Sequence, residues 1–341
     1  MSIFSIAPKP SCLLGYDRAL SLTAGVKVSP LCLGAMNFGN AWKEFMSECD
    51  KEQYFALLDA IATKYTTGFR TSHHQTQPIQ SNHVGNSSKP LHISLNPSIQ
   101  KIQTDYMDLL YLHWWDFTSS VEEIMHALNT LIVSGKVLYL SVSDTPAWIV
   151  VKANDYARAN RLRPLSVYQG RWNAGFRDLE KEVLHTCRDQ GMAIAPWAPL
   201  GSGNDISGSS GRAAELSEHD IKVSETLEEV DHRKGATLHA IALAYVMHKT
   251  PYVYPIIGQR KIEHLKANIE ALSVSLSDED LGEIDGAADF DVGSPMNFIF
   301  SKGYSSSNTA ADVLLTHVAQ QIDAPPHQAP VRARRGCIEC F

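Results

Sequence analysis

The sequence predicts an α/β fold built as a (β/α)8 barrel of the TIM type. Short apolar segments alternate with amphipathic helical segments along most of the 341 residues, and this alternation is typical of parallel sheets with helical crossovers. The strand-like segments are almost continuously apolar, as expected for strands that are covered on both faces. Their close spacing favours a barrel, in which functional groups lie at the carboxyl ends of the strands.

Seven strand-like segments follow one another along the chain, whereas a complete barrel of this type has eight strands. The segments are 31–36, 61–65, 107–113, 137–142, 165–169, 192–197 and 252–257. We therefore expect an incomplete barrel in which the second strand unit is missing.

The helical segments between these strands carry recognisable start and stop signals. Residues 120–136 begin with Ser120 and Glu123 at the spacing of a capping box. Residues 146–160 begin with Pro146, which suits the first position of a helix. Further helices are predicted at 235–249 and 261–272.

The segment 55–68 joins a helix to a strand without a turn. Its first half has the pattern of an amphipathic helix, and its second half has that of a buried strand. Helix-to-strand connections usually contain several residues, often with glycine after the helix, yet Ala60 is followed at once by Ile61. Either one of the two assignments is wrong or a segment that belongs between them is absent.

Three regions are expected to lie outside the regular pattern. Residues 201–234 are rich in glycine, serine and acidic residues, which predicts a long flexible loop, and 71–92 are predicted as a polar loop. The barrel is expected to occupy residues 1–308. Residues 309–341 lose the pattern and end in a segment rich in proline and arginine, which predicts a disordered tail.

Charge and cysteine content exclude several classes of function. A formal net charge of −7 provides no basic surface for nucleic acid, and no apolar stretch is long enough to cross a membrane. Four of the six cysteines are scattered singly, which suits the cytoplasm. Cys337 and Cys340 form either a redox pair or half a zinc site, or two incidental thiols. We favour the incidental thiols, because no second ligand pair has suitable spacing, and we predict no metal.

Polar and aromatic residues stand at the carboxyl ends of the predicted strands. Because these ends meet at one face of a barrel, we expect the side chains that follow them to converge. The residues are Lys64, His113, Ser143, Asp144, Gln169 and Trp197, followed at the last strand by Gly258, Gln259 and Arg260.

Several motifs resemble those of the aldo-keto reductases, in particular the fungal branch of aryl-alcohol dehydrogenases and norsolorinic acid reductases. The stretches are "SPLCLGAMNFG", "IQTDYMDLLYLHWWD", "SVYQGRWN", "APWAPLGSG" and "YPIIGQRKIEHLKANIEAL", and the resemblance covers about residues 10–300. It implies a barrel enzyme that uses NADP(H) to reduce small aromatic or polyketide-derived aldehydes and ketones, in secondary metabolism such as mycotoxin biosynthesis.

The resemblance also implies which residues perform the chemistry. In the family an Asp, a Tyr, a Lys and a His form a catalytic tetrad, in which Tyr protonates the carbonyl oxygen while the cofactor gives a hydride to the carbon. Lys64 matches the family Lys and His113 matches the family His. The segment that carries the family's Asp and Tyr has no counterpart, as if about one βα unit were removed between Ala60 and Ile61.

The cofactor residues implied by the resemblance are better preserved than the tetrad. Ser143, Asp144 and Gln169 would hold the nicotinamide carboxamide, and Trp197 would stack on the ring. The others would hold the pyrophosphate, the 2′-phosphate and the adenine in turn: Leu200, Gly201 and Ser202, then Gly258, Gln259 and Arg260, then Asn268. An arginine just before a helix start suits a phosphate, and this favours NADP over NAD.

Alternatives to a working reductase remain open at the level of the sequence. Tyr65 is adjacent to Lys64 in a predicted strand, so it points to the opposite face and is a poor substitute for the absent Tyr. A non-catalytic remnant that binds only a cofactor or another protein fits the same residues. The product of a mis-spliced gene model fits them as well, because a skipped exon would leave this kind of junction.

Overall fold

The computed structural model describes nine stretches of the chain. They are residues 8–10, 12–35, 85–201, 217–258, 262–300, 312–320, 322, 328–331 and 333–334, where the last two ranges flank residue 332. The predicted strand at 61–65 and the junction at Ala60–Ile61 lie outside the described residues, as do Cys337 and Cys340.

The described residues form eight strands and ten α-helices. The strands are β1 (Arg18–Ser21), β2 (Ala24–Val28), β3 (Cys32–Leu33), β4 (Met107–His113), β5 (Val137–Ser143), β6 (Leu165–Arg171), β7 (Ala193–Trp197) and β8 (Ile256–Ile257). The helices are α1 (Ser88–Lys101), α2 (Val121–Val133), α3 (Ala147–Ala159), α4 (Val183–Gln190), α5 (Glu218–Lys234), α6 (Leu238–Lys249), α7 (Ile262–Glu270), α8 (Asp278–Gly286), α9 (Met296–Ile299) and α10 (Leu314–Ala319).

Six of these strands are parallel and follow one another in space. β4, β5, β6 and β7 form a four-stranded parallel sheet, and β3 pairs with β8 in parallel. A parallel bridge between Ile194 and Val253 connects β7 to the segment that leads into β8. The order is therefore β3–β8–β7–β6–β5–β4, and the predicted α/β fold with parallel strands is confirmed. The first and last predicted strands are neighbours, as a closed barrel requires.

The two faces of the central sheet belong to two separate apolar clusters. Leu110, Leu140 and Ile194 face outward and pack with helix residues such as Ile124. The alternate residues of the central strands face inward, in a cluster that also includes residues from outside the central sheet. This inner cluster comprises Leu20, Ala24, Leu109, Val167, Ala193, Ala195 and Tyr254. This alternation explains the almost continuous apolar character of the strands, because each face buries its own set of side chains.

A hairpin of β1 and β2, which the sequence analysis missed, covers the amino end of the inner cluster. The two strands pair in antiparallel fashion, and Leu20 and Ala24 are buried against Leu109, Val167 and Ala193. Because this hairpin covers the amino ends of the parallel strands, access to the interior is left to the carboxyl ends.

Several predicted elements need correction. Residues 218–234 form helix α5 and not a flexible loop, because Ser217 and Asp220 complete a capping box at its start. The predicted polar loop at 71–92 is wrong from Ser88 onward, where α1 begins. Cys12 is disulfide-bonded, which differs from the reduced thiols that suit the cytoplasm, whereas Cys32 and Cys187 form no disulfide.

The C-terminal tail is not wholly disordered as predicted. It contains helix α10, and the backbone N–H of Arg334 donates to the carbonyl of Leu272 at 3.3 Å. The side chain of Gln328 donates to the hydroxyl of Tyr252 at 3.2 Å. These contacts place Gln328 and Arg334 against the amino end of the barrel.

The predicted helices at 120–136 and 146–160 are confirmed, with small shifts at their starts. Ser120 caps α2 by accepting from the N–H of Glu123 at 3.1 Å, and the Glu123 carboxylate accepts from the N–H and hydroxyl of Ser88 on α1. Pro146 stands at the N-cap of α3, one position before the first helical residue. In the described part of the chain, no helix combines the length and apolarity that crossing a membrane requires.

A buried network of charges joins three helical segments outside the sheet. Glu180, with 0% of its side chain exposed, lies 2.8 Å from Arg177 and 3.3 Å from Lys249. Asp285 contacts the same two cations, at 3.4 Å and 2.7 Å. Burial acts to raise the pKa of Glu180, but Lys249 and Arg177 outweigh burial and lower the pKa to about 2.

We predict that Glu180→Gln lowers the free energy of unfolding at pH 7 by about 3 kcal/mol, because two cations lose a buried partner. The pKa of Glu180 is lowered on folding, so its contribution is present above the unfolded pKa and disappears as the pH falls toward about 2. Urea denaturation should therefore show the deficit shrinking below pH 4.5, a bound set by the ordinary pKa.

The matched control is Glu122→Gln. Glu122 lies 3.8 Å from Lys152 in an exposed pair, so its loss should cost much less stability than the loss of Glu180. Equal stability of the Glu180 variant and the parent protein at pH 7 would contradict the role given to the network.

Candidate active site

The parallel register brings three predicted site residues into one row at the carboxyl edge of the sheet. His113 on β4 pairs with Ser143 on β5, and Ser143 pairs with Gln169 on β6. Arg171 and Trp197 pair two residues further toward the carboxyl end. The convergence expected from the strand ends is therefore present, although the residues come from four separate strands.

The carboxylate of Asp144 is the hub of this edge. It accepts a hydrogen bond from the hydroxyl of Ser143 at 3.0 Å and one from the indole N–H of Trp197, also at 3.0 Å. The Nε2 atom of His113 lies 3.7 Å from Oδ2 of Asp144, the same oxygen that accepts from Ser143. One side chain thus ties together the ends of β4, β5 and β7.

The surroundings of Asp144 favour its ionised form. Burial acts to raise the pKa of this carboxyl, but contacts with His113, Trp197 and Ser143 outweigh burial, so the pKa lies below its ordinary value. The edge of the sheet consequently carries a fixed negative charge at neutral pH, partly shielded by donors.

Three non-glycine residues adopt a positive φ just after the strands end. Trp114 follows β4 with a φ of 64°, Asp144 follows β5 with 49°, and Ala198 follows β7 with 50°. Such backbone costs roughly 1–3 kcal/mol at each residue and is typical of functional sites. Hydrogen bonds hold the first two in place, from the N–H of Trp114 to the carbonyl of Ser143 and from the N–H of Asp144 to the carbonyl of Gln169.

Arg171 is a site residue that the sequence analysis missed. Its guanidinium lies 4.2 Å from the ring centre of Phe176 and 5.9 Å from that of Trp197. The signal was available, because Arg171 stands two positions after Gln169 and such residues share a face of a strand. It adds a positive charge beside the aromatic face of Trp197.

Only some of the other residues that are predicted to bind the cofactor lie in the described part of the chain. Gly201 has a φ of 66° and donates its N–H to the carbonyl of Ala198 at 3.1 Å, so the chain turns sharply after Trp197. Gly258 follows β8 at the same end of the sheet. Asn268 is buried within α7, and Leu200 packs partly buried against the outer cluster. Lys64, Ser202, Gln259 and Arg260 lie outside the described residues.

The profile of the aldo/keto reductase family matches residues 60–289. The chain is 44% identical to a norsolorinic acid reductase of Aspergillus flavus, over 98% of this chain and 97% of the relative. It is 41% identical to an aryl-alcohol dehydrogenase of Pestalotiopsis microspora, over 96% of this chain and 97% of the relative. It is 37% identical to an aryl-alcohol dehydrogenase [NADP(+)] of Phanerodontia chrysosporium, over 98% of this chain and 100% of the relative.

These alignments are longer than the chain itself. The comparison with the Aspergillus flavus protein extends over 380 positions, at least 39 more than the 341 residues of this chain. The relative therefore has residues for which this chain has no equivalent.

We predict that Asp144→Asn lowers the free energy of unfolding at pH 7 by about 1–2 kcal/mol, because charge-assisted hydrogen bonds become ordinary ones. The pKa of Asp144 is lowered on folding, so its contribution is present above the unfolded pKa and is lost as the pH falls. Urea titrations at pH 7 and pH 3 should show a smaller difference between the two proteins at pH 3.

Asp155→Asn is the control for this comparison, because Asp155 pairs with Arg158 on the exposed surface of α3. A loss of unfolding free energy in the Asp144 variant that grows toward pH 3 would contradict the stabilising role given to the ionised Asp144 carboxylate.

Proposed function

This chain belongs to the aldo/keto reductase family, and we propose that it is an NADP(H)-dependent oxidoreductase acting on aromatic or polyketide-derived aldehydes and ketones. The observation that carries the proposal is the convergence of His113, Ser143 and Trp197 on the carboxylate of Asp144. This cluster stands at the carboxyl ends of parallel strands, where barrel enzymes place their chemistry.

The donor set at this edge fits a nicotinamide group. A carboxamide both donates and accepts hydrogen bonds, and Asp144 supplies an acceptor while the Gln169 amide supplies both kinds of group. The ring of Trp197 is held by its bond to Asp144 and offers a flat surface for stacking. When bound, NADPH would supply a hydride for the reduction of a carbonyl carbon.

The choice of NADP(H) rests on the relatives and on one arginine. The Phanerodontia chrysosporium relative carries NADP(+) in its name. Arg260 precedes α7 in the sequence, and a guanidinium near a helix start suits a phosphate such as the 2′-phosphate of NADP.

Aromatic carbonyl compounds are favoured by the side chains around His113. The ring of Trp114 lies 4.7 Å from that of His113, centre to centre, and 61% of Trp114 is exposed. Phe117 is similarly exposed, at 68%. His113 offers a hydrogen-bond donor to a carbonyl oxygen, and the neighbouring aromatic faces suit a flat substrate.

The barrel of residues 1–308 is proposed to lack about one βα unit after Ala60. The excess length of the alignment supports this proposal, as does the missing turn before Ile61. The absent segment would carry the Asp and Tyr of the family tetrad, so Lys64 and His113 would act without the usual proton donor. We therefore expect slow turnover.

A second candidate function is cofactor binding without turnover. The same excess length of the relatives favours it, because a site can keep its nicotinamide contacts after losing the group that protonates the substrate. The two candidates share the cofactor site and differ in whether a carbonyl is reduced.

We predict that NADPH binds saturably and quenches tryptophan fluorescence, because Trp197 lies at the proposed nicotinamide site. Arg260→Ala should weaken binding by at least about tenfold through loss of a charge-assisted contact with the 2′-phosphate. Arg163→Ala, at an exposed position before β6, is the matched control and should bind like the parent protein. Unaltered binding by the Arg260 variant would remove Arg260 from the cofactor site.

We predict that His113→Ala lowers kcat for NADPH-dependent reduction of benzaldehyde by about 10²-fold, as expected when a donor to the reacting oxygen is lost. His232→Ala is the control, because 83% of the His232 side chain is exposed at the end of α5. Cofactor binding with no detectable reduction by the parent protein would favour the second candidate. Reduction that persists in the His113 variant would contradict the role given to His113.

A further inference from the structure

A cavity of about 280 Å³ lies at the end of the barrel opposite to the candidate active site. Its walls include Arg18 of β1, Tyr252 and Val253 of the segment before β8, and Arg334 of the tail. Tyr252 and Val253 precede β8, whereas Gly258 of the candidate active site follows it. The two sites therefore lie at opposite ends of the same strands.

The charged groups that line this cavity are two arginines and one aspartate. Arg18 is half-buried, and Arg334 and Asp17 are exposed at its edge. Among the described residues, the ion pairs include neither Arg18 nor Arg334. The lining consequently carries one positive charge in excess.

The two guanidinium groups lie close enough to influence each other. Burial is the largest cause that lowers the pKa of Arg18, and Arg334 adds to it, while Tyr254 acts in the opposite direction. Burial and the neighbouring charge both disfavour the cation, so an anion between the two arginines would relieve both effects.

The tail wall of the cavity is held by specific contacts. The N–H of Arg334 donates to the carbonyl of Leu272, and its guanidinium lies 4.5 Å from the ring centre of Tyr16. Gln328 donates to the Tyr252 hydroxyl, which leaves the proton of that hydroxyl available as a donor. Positively charged and neutral donors thus face one space.

The rest of the lining is part polar and part apolar. Its apolar side chains include Leu13, Pro30, Met247, Val253, Leu272 and Val331. We propose that this cavity binds a small organic carboxylate, with its charge between Arg18 and Arg334 and its apolar body against these side chains. The proposal is independent of the proposed function, because it uses no residue of the candidate active site.

The test is calorimetric titration of the full chain with benzoate and with inorganic phosphate. We expect benzoate to bind with a stoichiometry near one, and phosphate to bind at least about tenfold more weakly because it lacks an apolar body. Arg334→Gln should weaken benzoate binding by at least about tenfold. Arg334 is exposed, so the variant should fold, and its melting temperature checks this.

Arg171→Gln is the control at the opposite end of the barrel and should leave benzoate binding unchanged. Benzoate binding that is lost in the Arg171 variant but kept in the Arg334 variant would place the anion at the candidate active site and overturn the proposal. Failure of benzoate to bind, or equally tight binding of phosphate, would overturn it as well.

Discussion

The parallel register of β4, β5 and β6 is the constraint on which the proposed site depends. It fixes His113, Ser143 and Gln169 in one row near the carboxyl ends of three largely apolar strands. A slip of one residue would turn each side chain to the opposite face. The Asp144 carboxylate accepts a hydrogen bond from Trp197 on β7, which links this row to a fourth strand.

The amino and carboxyl ends of the parallel strands differ in what covers them. The β1–β2 hairpin buries Leu20 and Ala24 against the inner cluster at the amino end, and the described tail residues lie beside it. The carboxyl end holds the strained backbone of Trp114, Asp144 and Ala198. Stability can therefore be supplied by the packed interior and by the Glu180 network, while the candidate site includes three residues with strained backbone. Gln103, Arg161 and Tyr252, which precede strands, also have a positive φ.

Much of the fold could be predicted because the strands are buried on both faces. The predicted bounds of β4 match the observed ones, because an apolar run of this length between polar segments indicates a buried strand. The hairpin was missed because β1 and β2 are short and only partly apolar. Helix α5 was missed because the glycine-rich and serine-rich residues before it obscured the cap at Ser217. The bond from Trp197 to Asp144 spans 53 residues, and no local pattern reports it.

The most direct test of the central claim is a crystal structure of the chain with NADP+. The account predicts the nicotinamide ring stacked on Trp197, with its carboxamide within hydrogen-bond distance of Asp144 or Gln169. It also predicts that the adenosine phosphate lies near Arg260. A cofactor bound at another surface, or a nicotinamide that contacts neither Trp197 nor Gln169, would contradict the claim that these strand ends form a cofactor site.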